Sequence, residues 1–198
     1  MSLRPRPCQK VIRIPLLIVC EGWLENSYFM ALTRHLRVRE RYALDIRCSR
    51  GGRHPKVLEL AKRKSDGRET WCIFDVESDG EKAKVQDTIE KCHSFKFHVG
   101  LSNPCFNVWA LAHLQAMPTG PTTPDQSLRC LKAALGGKLE ERNVDWVLER
   151  ILGGNNFANI QSASDHIRCF LPTDYEKVFA NNPSTSVGSL VERLINGT

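Results

Sequence analysis

Four short apolar runs alternate with four segments of helical periodicity over the first two-thirds of the chain, and this alternation strongly constrains the fold. These strand-like runs cover 11–20, 43–49, 69–75 and 95–101; the first lacks a helical period, as buried strands do, and the second alternates apolar and polar residues. The segments that follow carry apolar residues at helical spacing and cover 25–36, 56–64, 81–92 and 102–114. Such alternation requires crossover connections between parallel strands. The sequence therefore predicts an α/β fold with a mostly parallel four-stranded sheet flanked by helices.

The strand pattern stops near residue 116, where the composition changes. Residues 117–124 (Met-Pro-Thr-Gly-Pro-Thr-Thr-Pro) have the composition of a loop or linker. Beyond them, helical periods cover 126–135, 144–152, 159–170 and 186–195. We therefore predict an α/β domain over 1–116 and a helical C-terminal region over 117–198 packed on it. Residues 1–10 contain Arg4-Pro-Arg-Pro7 and are predicted to form an untethered arm.

The overall charge and the cysteines narrow the class of protein. The formal net charge of +6 favours an anionic partner, most often nucleic acid, although a basic protein without such a partner fits the charge equally well. The eight cysteines form no CxxC pair, which speaks against a structural zinc site. No secretory signal or membrane-spanning run is present, so we expect a reduced, cytoplasmic protein without a disulfide framework.

Acidic residues follow two of the predicted strands. Glu21 follows the first strand, and Asp75, Glu77 and Asp79 follow the third. In parallel sheets, ligands bind beyond the carboxyl ends of the strands, where these acids would meet. Carboxylates held close together require a proton or a cation, and Mg²⁺ prefers such oxygen ligands. We therefore predict that Glu21, Asp75 and Glu77 bind Mg²⁺ or Mn²⁺ for phosphodiester chemistry, while Asp79 either supports them or, preferably, caps the next helix.

Basic residues surround a Gly-Gly turn after the second predicted strand. These are Arg47, Arg50, Arg53, His54 and Lys56, which either contact phosphates or are solvated surface charges. Of them, we select Arg50, Arg53 and Lys56 as candidate phosphate-binding residues.

Three polar residues near the fourth predicted strand are candidate supports for the acids. Ser102 and Asn103 lie at its carboxyl end, and Asn103 is also predicted to cap the following helix, with Pro104 in its first turn. His113 has the spacing to share a helix face with Trp109, where a structural histidine is more common than a catalytic one. Cys105 precedes the same helix, but no partner indicates a thiol nucleophile.

Four blocks of the sequence, in order, resemble the RloB-like proteins, which carry a TOPRIM-type catalytic domain. The blocks are Val19-Cys-Glu-Gly22 with Glu25 and Tyr28-Phe29; Trp71-Cys-Ile-Phe-Asp75-Val-Glu77; Leu101-Ser-Asn-Pro-Cys-Phe106 with Trp109 and His113; and Asn182-Pro-Ser-Thr-Ser-Val187 with Leu190-Val191. The resemblance implies a Rossmann-like TOPRIM fold with a metal-binding glutamate after the first strand and paired acids after the third, matching Glu21, Asp75 and Glu77. It also implies a role for Glu25 and an activity in defence against phage.

The chain departs from the family pattern at three positions. Glu77 stands where an aspartate is usual, Asn107 where an acid is usual, and Leu24 where a threonine is usual. A longer carboxylate at residue 77 can still bind a metal, whereas Asn107 removes a possible ligand.

These observations lead to two functional hypotheses. The first is a divalent-metal-dependent endonuclease, a hydrolase acting on nucleic acid, with RNA slightly favoured over DNA. The second is a catalytically silent nucleic-acid-binding or nucleotide-sensing subunit that acts with a partner protein of a defence system. A homodimer is compatible with either. A phosphotransferase or primase is less favoured, because the chain lacks the phosphate-binding motif GxxxxGK[ST].

Overall fold

A computed structural model describes residues 12–117, 120–154 and 157–197 of the chain. The predicted arm at residues 1–10 and part of the predicted linker, residues 118 and 119, lie outside these ranges. Within them, the strands are β1 (Ile14–Cys20), β2 (Tyr42–Cys48), β3 (Glu69–Asp75), β4 (His98–Asn103), β5 (Arg168–Cys169) and β6 (Ser184–Thr185).

Ten helices accompany these strands in the described part of the chain. They are α1 (Trp23–Leu32), α2 (Leu36–Arg41), α3 (Arg53–Lys64), α4 (Lys82–Ser94), α5 (Asn107–Ala112), α6 (Pro124–Ala134), α7 (Val144–Leu152), α8 (Asn159–His166), α9 (Tyr175–Ala180) and α10 (Val187–Asn196). None of them is long and apolar enough to cross a lipid bilayer.

The strands form one sheet in the order β2-β1-β3-β4-β6-β5. The first four are parallel to one another, β6 is antiparallel to β4, and β5 is parallel to β6. From β1 the chain goes to β2 on one side and then to β3 on the other, so the direction of winding reverses between β1 and β3. Such a reversal opens a crevice at the carboxyl ends of the two strands.

Alternate residues of the central strands face two separate hydrophobic cores. Leu16 and Ile18 of β1 pack in the core that contains α1, α5, α7 and α10. Leu17 and Val19 face the opposite core, which contains α3 and α4. Because successive side chains of a strand point to opposite faces, a continuous apolar run is required where helices cover both faces.

The sheet has six strands, so the prediction of four strands is wrong in number. The two additional strands lie in the region predicted to be helical only, and each contains two residues. A two-residue strand is too short to show an alternating pattern in the sequence. Side chains hold β6 against β4: Ser186 Oγ accepts a hydrogen bond from Leu101 N at 2.9 Å, and Ser102 Oγ lies 3.1 Å from Thr185 Oγ1.

Two helix predictions also require correction. The helix predicted over 25–36 is divided into α1 and α2, and the backbone of His35 between them is extended. Asn103 does not cap a helix, because it is the last residue of β4 and α5 begins only at Asn107. The Asn103 amide instead donates to the carbonyl oxygen of Val178 at 2.9 Å, which fixes α9 against the end of β4.

Candidate active site

Glu21 and Asp75 lie side by side at the carboxyl end of the sheet, where the winding reverses. Cys20 pairs with Ile73, and the Glu21 N–H continues this ladder by donating to the Ile73 carbonyl oxygen at 3.1 Å. On the opposite edge of β3, Asp75 pairs with Ser102 of β4. The two acids therefore occupy neighbouring strands, as the sequence predicted, and line one cleft together with Glu77.

The backbone after β3 turns sharply to place Glu77 in this cleft. Val76 N donates to the Ser102 carbonyl oxygen at 2.9 Å, and Glu77 N donates to the Pro104 carbonyl oxygen at 2.8 Å. Glu77 has a φ of +61°, a left-handed conformation that is uncommon for residues other than glycine. Neighbouring backbone thus holds Glu77 in a strained position, as is frequent at functional sites.

Glu25 is a fourth acid at the site, carried by the first turn of α1. Its side chain is buried, and the nearby backbone N–H groups of Glu25 and Gly22 offset part of the rise in its pKa that burial causes. A Cβ at position 22 would lie 2.7 Å from Glu25 Oε2, so the close approach of the carboxylate depends on the missing side chain of Gly22. The helix amino terminus favours negative charge here.

The pKa values of Glu21, Glu25 and Asp75 are all raised, so nearby positive charge does not fully compensate these three acids. Burial, followed by the charges of Glu25 and Glu77, raises the pKa of Glu21 from 4.5 to about 7. Burial also raises the pKa of Glu25. The pKa of Asp75 is well above its usual range because of burial and the nearby charges of Glu25 and Glu21. Asp75 Oδ1 is buried without a hydrogen-bond partner among the described residues.

Arg53 is the cation that approaches these acids. Its guanidinium contacts Glu77 Oε2 and Glu81 Oε2, each at 3.1 Å. Arg53 also has a left-handed backbone with a φ of +58°. In the described part of the chain, no three Asp, Glu, His or Cys side chains are grouped closely enough to hold a metal ion. Glu77 lines the same cleft as Glu21 and Asp75, but in this structure its carboxylate is paired with Arg53.

The other two candidate phosphate-binding residues are exposed to solvent. Arg50 follows β2 and has a φ of +55°, and Gly51 and Gly52 after it are also left-handed, each with a φ of +88°. The side chain of Lys56 extends across Gly52, since a Cβ added there would lie 2.1 Å from Lys56 Cδ. The Gly-Gly turn thus lets Lys56 pass close to the backbone at the amino terminus of α3.

Asp79 lies outside the acidic cleft. Its side chain is 93% exposed, and it pairs with Lys82 Nζ at 2.8 Å. The prediction that it caps the next helix is wrong: α4 begins at Lys82, and its N-cap residue is Glu81, without a side-chain capping bond. A 3-10 turn at Asp79–Glu81 separates the acidic segment from α4, so the cap position is displaced.

Ser102, Asn103 and His113 have structural partners. Ser102 and Asn103 hold β6 and α9 through the bonds described above. His113 Nδ1 donates to the Trp109 carbonyl oxygen at 2.8 Å, so its Nε2 accepts from Tyr28 Oη at 3.0 Å. Burial lowers the pKa of His113 to about 4, which keeps the ring neutral. This network joins α5 to α1 behind the acids.

His54 lines the acidic cleft, whereas the sequence placed it only in a group of basic residues that either contact phosphates or are solvated. Thr88 Oγ1 donates its one proton to the Lys84 carbonyl oxygen at 3.1 Å, so it must accept from His54 Nδ1 at 2.7 Å. The Nε2 atom of the neutral ring then carries a lone pair. Burial lowers the pKa of His54, consistent with this neutral form. No sequence signal indicated the partner, because Thr88 lies 34 residues away on α4.

A sequence model of the family described as RloB-like protein matches residues 16–194. The matched region includes every candidate site residue discussed above. No curated protein and no solved structure matches the chain.

Proposed function

The chain belongs to the RloB-like protein family, and from this membership and its acidic cleft we propose that it is a divalent-metal-dependent endonuclease. The proposal includes a TOPRIM-type arrangement of the first four strands, with Glu21 after β1 and Asp75 and Glu77 after β3. The substrate is nucleic acid, with RNA favoured over DNA. We further propose that the enzyme acts in the cytoplasm in defence against phage.

The observation that carries this proposal is the uncompensated buried carboxylate of Asp75. Asp75 Oδ1 has no hydrogen-bond partner in the described chain, and Glu21 and Glu25 raise the pKa of its carboxyl group further. A buried carboxyl group without a partner is stable only when it keeps its proton or when a cation is bound, and natural proteins use such groups to coordinate metals. Oxygen donors from Glu21, Asp75 and Glu77 fit Mg²⁺ or Mn²⁺, which take one or two carboxylates and complete their shell with water and phosphate oxygens.

The residues have distinct roles in this proposal. Asp75 and Glu77 hold the metal, and Glu21 is a further ligand or the general base. The bound ion supplies activation of a water molecule and stabilisation of the leaving oxygen in phosphodiester cleavage. Glu77 becomes available when its ion pair with Arg53 opens, and the released guanidinium can then donate to a phosphate of the substrate.

Cleavage of end-labelled RNA and DNA in Mg²⁺, Mn²⁺ or EDTA tests the assignment. Glu21→Gln and Asp75→Asn retain the shape of each side chain and should abolish metal-dependent cleavage. Glu59→Gln, an exposed glutamate on α3, is the matched control and should cleave like the wild type. Metal-dependent cleavage that survives in both acid variants contradicts the assignment. Phage plating on cells that express wild type or Asp75→Asn protein tests the defence role separately.

A catalytically silent nucleic-acid-binding subunit is the second candidate function. The ion pair between Arg53 and Glu77 favours it, because the protein's own cation neutralises a proposed ligand. Calorimetric titration with Mg²⁺ and Mn²⁺ separates the two candidates: binding at millimolar concentration that is lost in Asp75→Asn supports the nuclease, and no binding supports the silent subunit.

A further inference from the structure

The positive charge of the chain is concentrated in one segment. Residues 34–56 contain eight lysines and arginines and two acids, so this segment carries six net positive charges, as many as the whole chain. The rest of the chain is neutral in sum. A polyanion that is attracted by the net positive charge of the protein should therefore be attracted mainly to this segment.

All eight of these cations are exposed to solvent in the structure. They are Arg34, Arg37, Arg39, Arg41, Arg47, Arg50, Arg53 and Lys56, and we call them the basic stripe. In chain order they lie just before and within α2, in β2, and in the turn and first residues of α3. Since β2 is the edge strand of the sheet, the stripe follows an open edge. It begins at the amino end of β2 and reaches the carboxyl end, where the acidic cleft lies.

Acids of the protein neutralise little of the stripe. In the described chain, two of its members have a carboxylate within 4.0 Å: Arg47 contacts Asp45, and Arg53 contacts Glu77 and Glu81. The guanidinium of Arg41 lies close to Gly197 at the end of α10. The remaining members project into solvent without an acidic partner among the described residues, so they are available to an external anion.

We propose that the basic stripe is a track for the sugar-phosphate backbone of a nucleic acid, which it guides along the β2 edge to the acidic cleft. The seven residues of β2 span about 23 Å at about 3.3 Å per residue. This length corresponds to roughly seven nucleotide steps of a duplex strand at about 3.4 Å each. The cations of the stripe lie at both ends of this span, with Arg47 near the carboxyl end of β2, so they can contact phosphates separated by several nucleotide steps.

An anionic membrane surface fits the stripe less well. Stable attachment of a protein to a bilayer surface needs buried apolar side chains in addition to basic residues. Among the side chains of 34–56 that the structure describes, no large hydrophobic residue is strongly exposed. Exposed Ile14 pairs with Tyr42 and, with Ile12, lies beside the amino end of the stripe. Apolar surface thus adjoins one end of the stripe, whereas phosphates of a nucleic acid can contact the cations at both ends.

The double variant Arg37→Gln/Arg39→Gln tests the track at its end remote from the acids. The control Arg129→Gln/Lys132→Gln removes the same charge from exposed positions of α6. Binding of a labelled 24-nucleotide RNA and of the corresponding 24-base-pair DNA is measured by fluorescence anisotropy in EDTA, between 50 and 200 mM KCl. Loss of two phosphate contacts should weaken binding about tenfold or more at 50 mM and lower the slope of log K against log salt by about 1.5 to 2.

A six-base-pair DNA provides an internal length control. It is about 20 Å long at about 3.4 Å per step and cannot contact both ends of the stripe at once, so the double variant should weaken its binding less than that of the 24-base-pair DNA. Circular dichroism establishes that both double variants are folded, and the single change Arg34→Gln gives an independent, smaller test of the same surface. Equal weakening by the α2 and α6 variants, or an unchanged salt slope in the α2 variant, overturns the track. Selective loss of binding to phosphatidylserine vesicles with unchanged nucleic-acid binding also overturns it.

The proposed track rests on the proposed nuclease function only because it ends at the acidic cleft. Experiments can therefore contradict the track and the nuclease function independently of each other. Since the anisotropy measurement uses EDTA, it does not require catalysis. A reduced salt slope in a protein that never cleaves nucleic acid supports the track and contradicts the nuclease. Unchanged binding and cleavage of long substrates by Arg37→Gln/Arg39→Gln contradicts the track and leaves the nuclease standing.

Discussion

Glu21→Gln should make the metal-free protein more stable at alkaline pH. Glu21 is partly buried at the end of β1, and its pKa rises from 4.5 to about 7 because of burial and the charges of Glu25 and Glu77. Glutamine has nearly the same shape and remains uncharged, so it resembles the protonated glutamate at every pH. The substitution therefore removes an unfavourable ionisation from the folded state without a cavity.

The size of the effect follows from the difference in pKa between the folded and unfolded states. Because the folded pKa is raised, Glu21 binds its proton more tightly when the protein is folded, and stability is lost as the pH rises from about 4.5 through 7. The full shift corresponds to about 3 kcal/mol. Partial exposure of the side chain reduces this to about 2 kcal/mol. We thus expect Glu21→Gln to match the wild type near pH 4.5 and to exceed it by about 2 kcal/mol at pH 8.

Urea unfolding in EDTA at pH 4.5, 6 and 8 measures this difference, and Glu59→Gln serves as the surface control. In a second series with 5 mM Mg²⁺, the wild type should regain stability at pH 8, whereas Glu21→Gln should gain less because it has lost a ligand. Equal stabilities of wild type and Glu21→Gln at pH 8 in EDTA would refute the reasoning. A difference in stability between wild type and Glu21→Gln that is equal at all three pH values would also refute it.

Three further predictions concern contacts around the cleft. Asn103→Ala should lower the free energy of unfolding by about 1–3 kcal/mol, measured in urea, because carbonyl oxygens at the end of α9 lose a buried donor. Gly22→Ala should cost about 1–3 kcal/mol by the same measurement, because its Cβ displaces the buried carboxylate of Glu25. His54→Ala should lose about 1–3 kcal/mol, and His54→Asn should recover part of it because its amide can still donate to Thr88; equal losses in the two variants would contradict a stabilising hydrogen bond between residues 54 and 88.

The order of strands and helices in the first two-thirds of the chain follows from the sequence because each central strand is buried on both faces. The predicted bounds of β3 agree with the structure, and those of β1 differ at the amino end. Burial of this kind demands an uninterrupted apolar run, which is visible without knowledge of the partners. The meeting of Glu21 and Asp75 could be predicted for the same reason, since it requires only that β1 and β3 are parallel neighbours.

The remaining features depend on partners that are distant in sequence. β6 exists because Ser184 and Thr185 pair with the end of β4, more than 80 residues earlier, and not because of a local pattern. The raised pKa of Asp75 comes first from burial and then from the charge of Glu25, whose carboxylate is accommodated because Gly22 has no side chain. The sequence singled out Arg53 as a candidate for phosphate binding, but it gave no sign that the side chain pairs with Glu77 and Glu81.

Arg53 belongs to both the basic stripe and the acidic cleft, and this double position determines which variants are informative. Replacing it would remove a cation from the stripe and, at the same time, release Glu77 from its ion pair. A change in nucleic-acid binding by an Arg53 variant could then come from the lost positive charge or from the newly exposed negative charge. Arg37→Gln/Arg39→Gln leaves the Glu77 ion pair intact, and Asp75→Asn leaves the stripe intact. These two variants therefore separate the binding of the polyanion from the binding of the metal, whereas Arg53 reports on both at once.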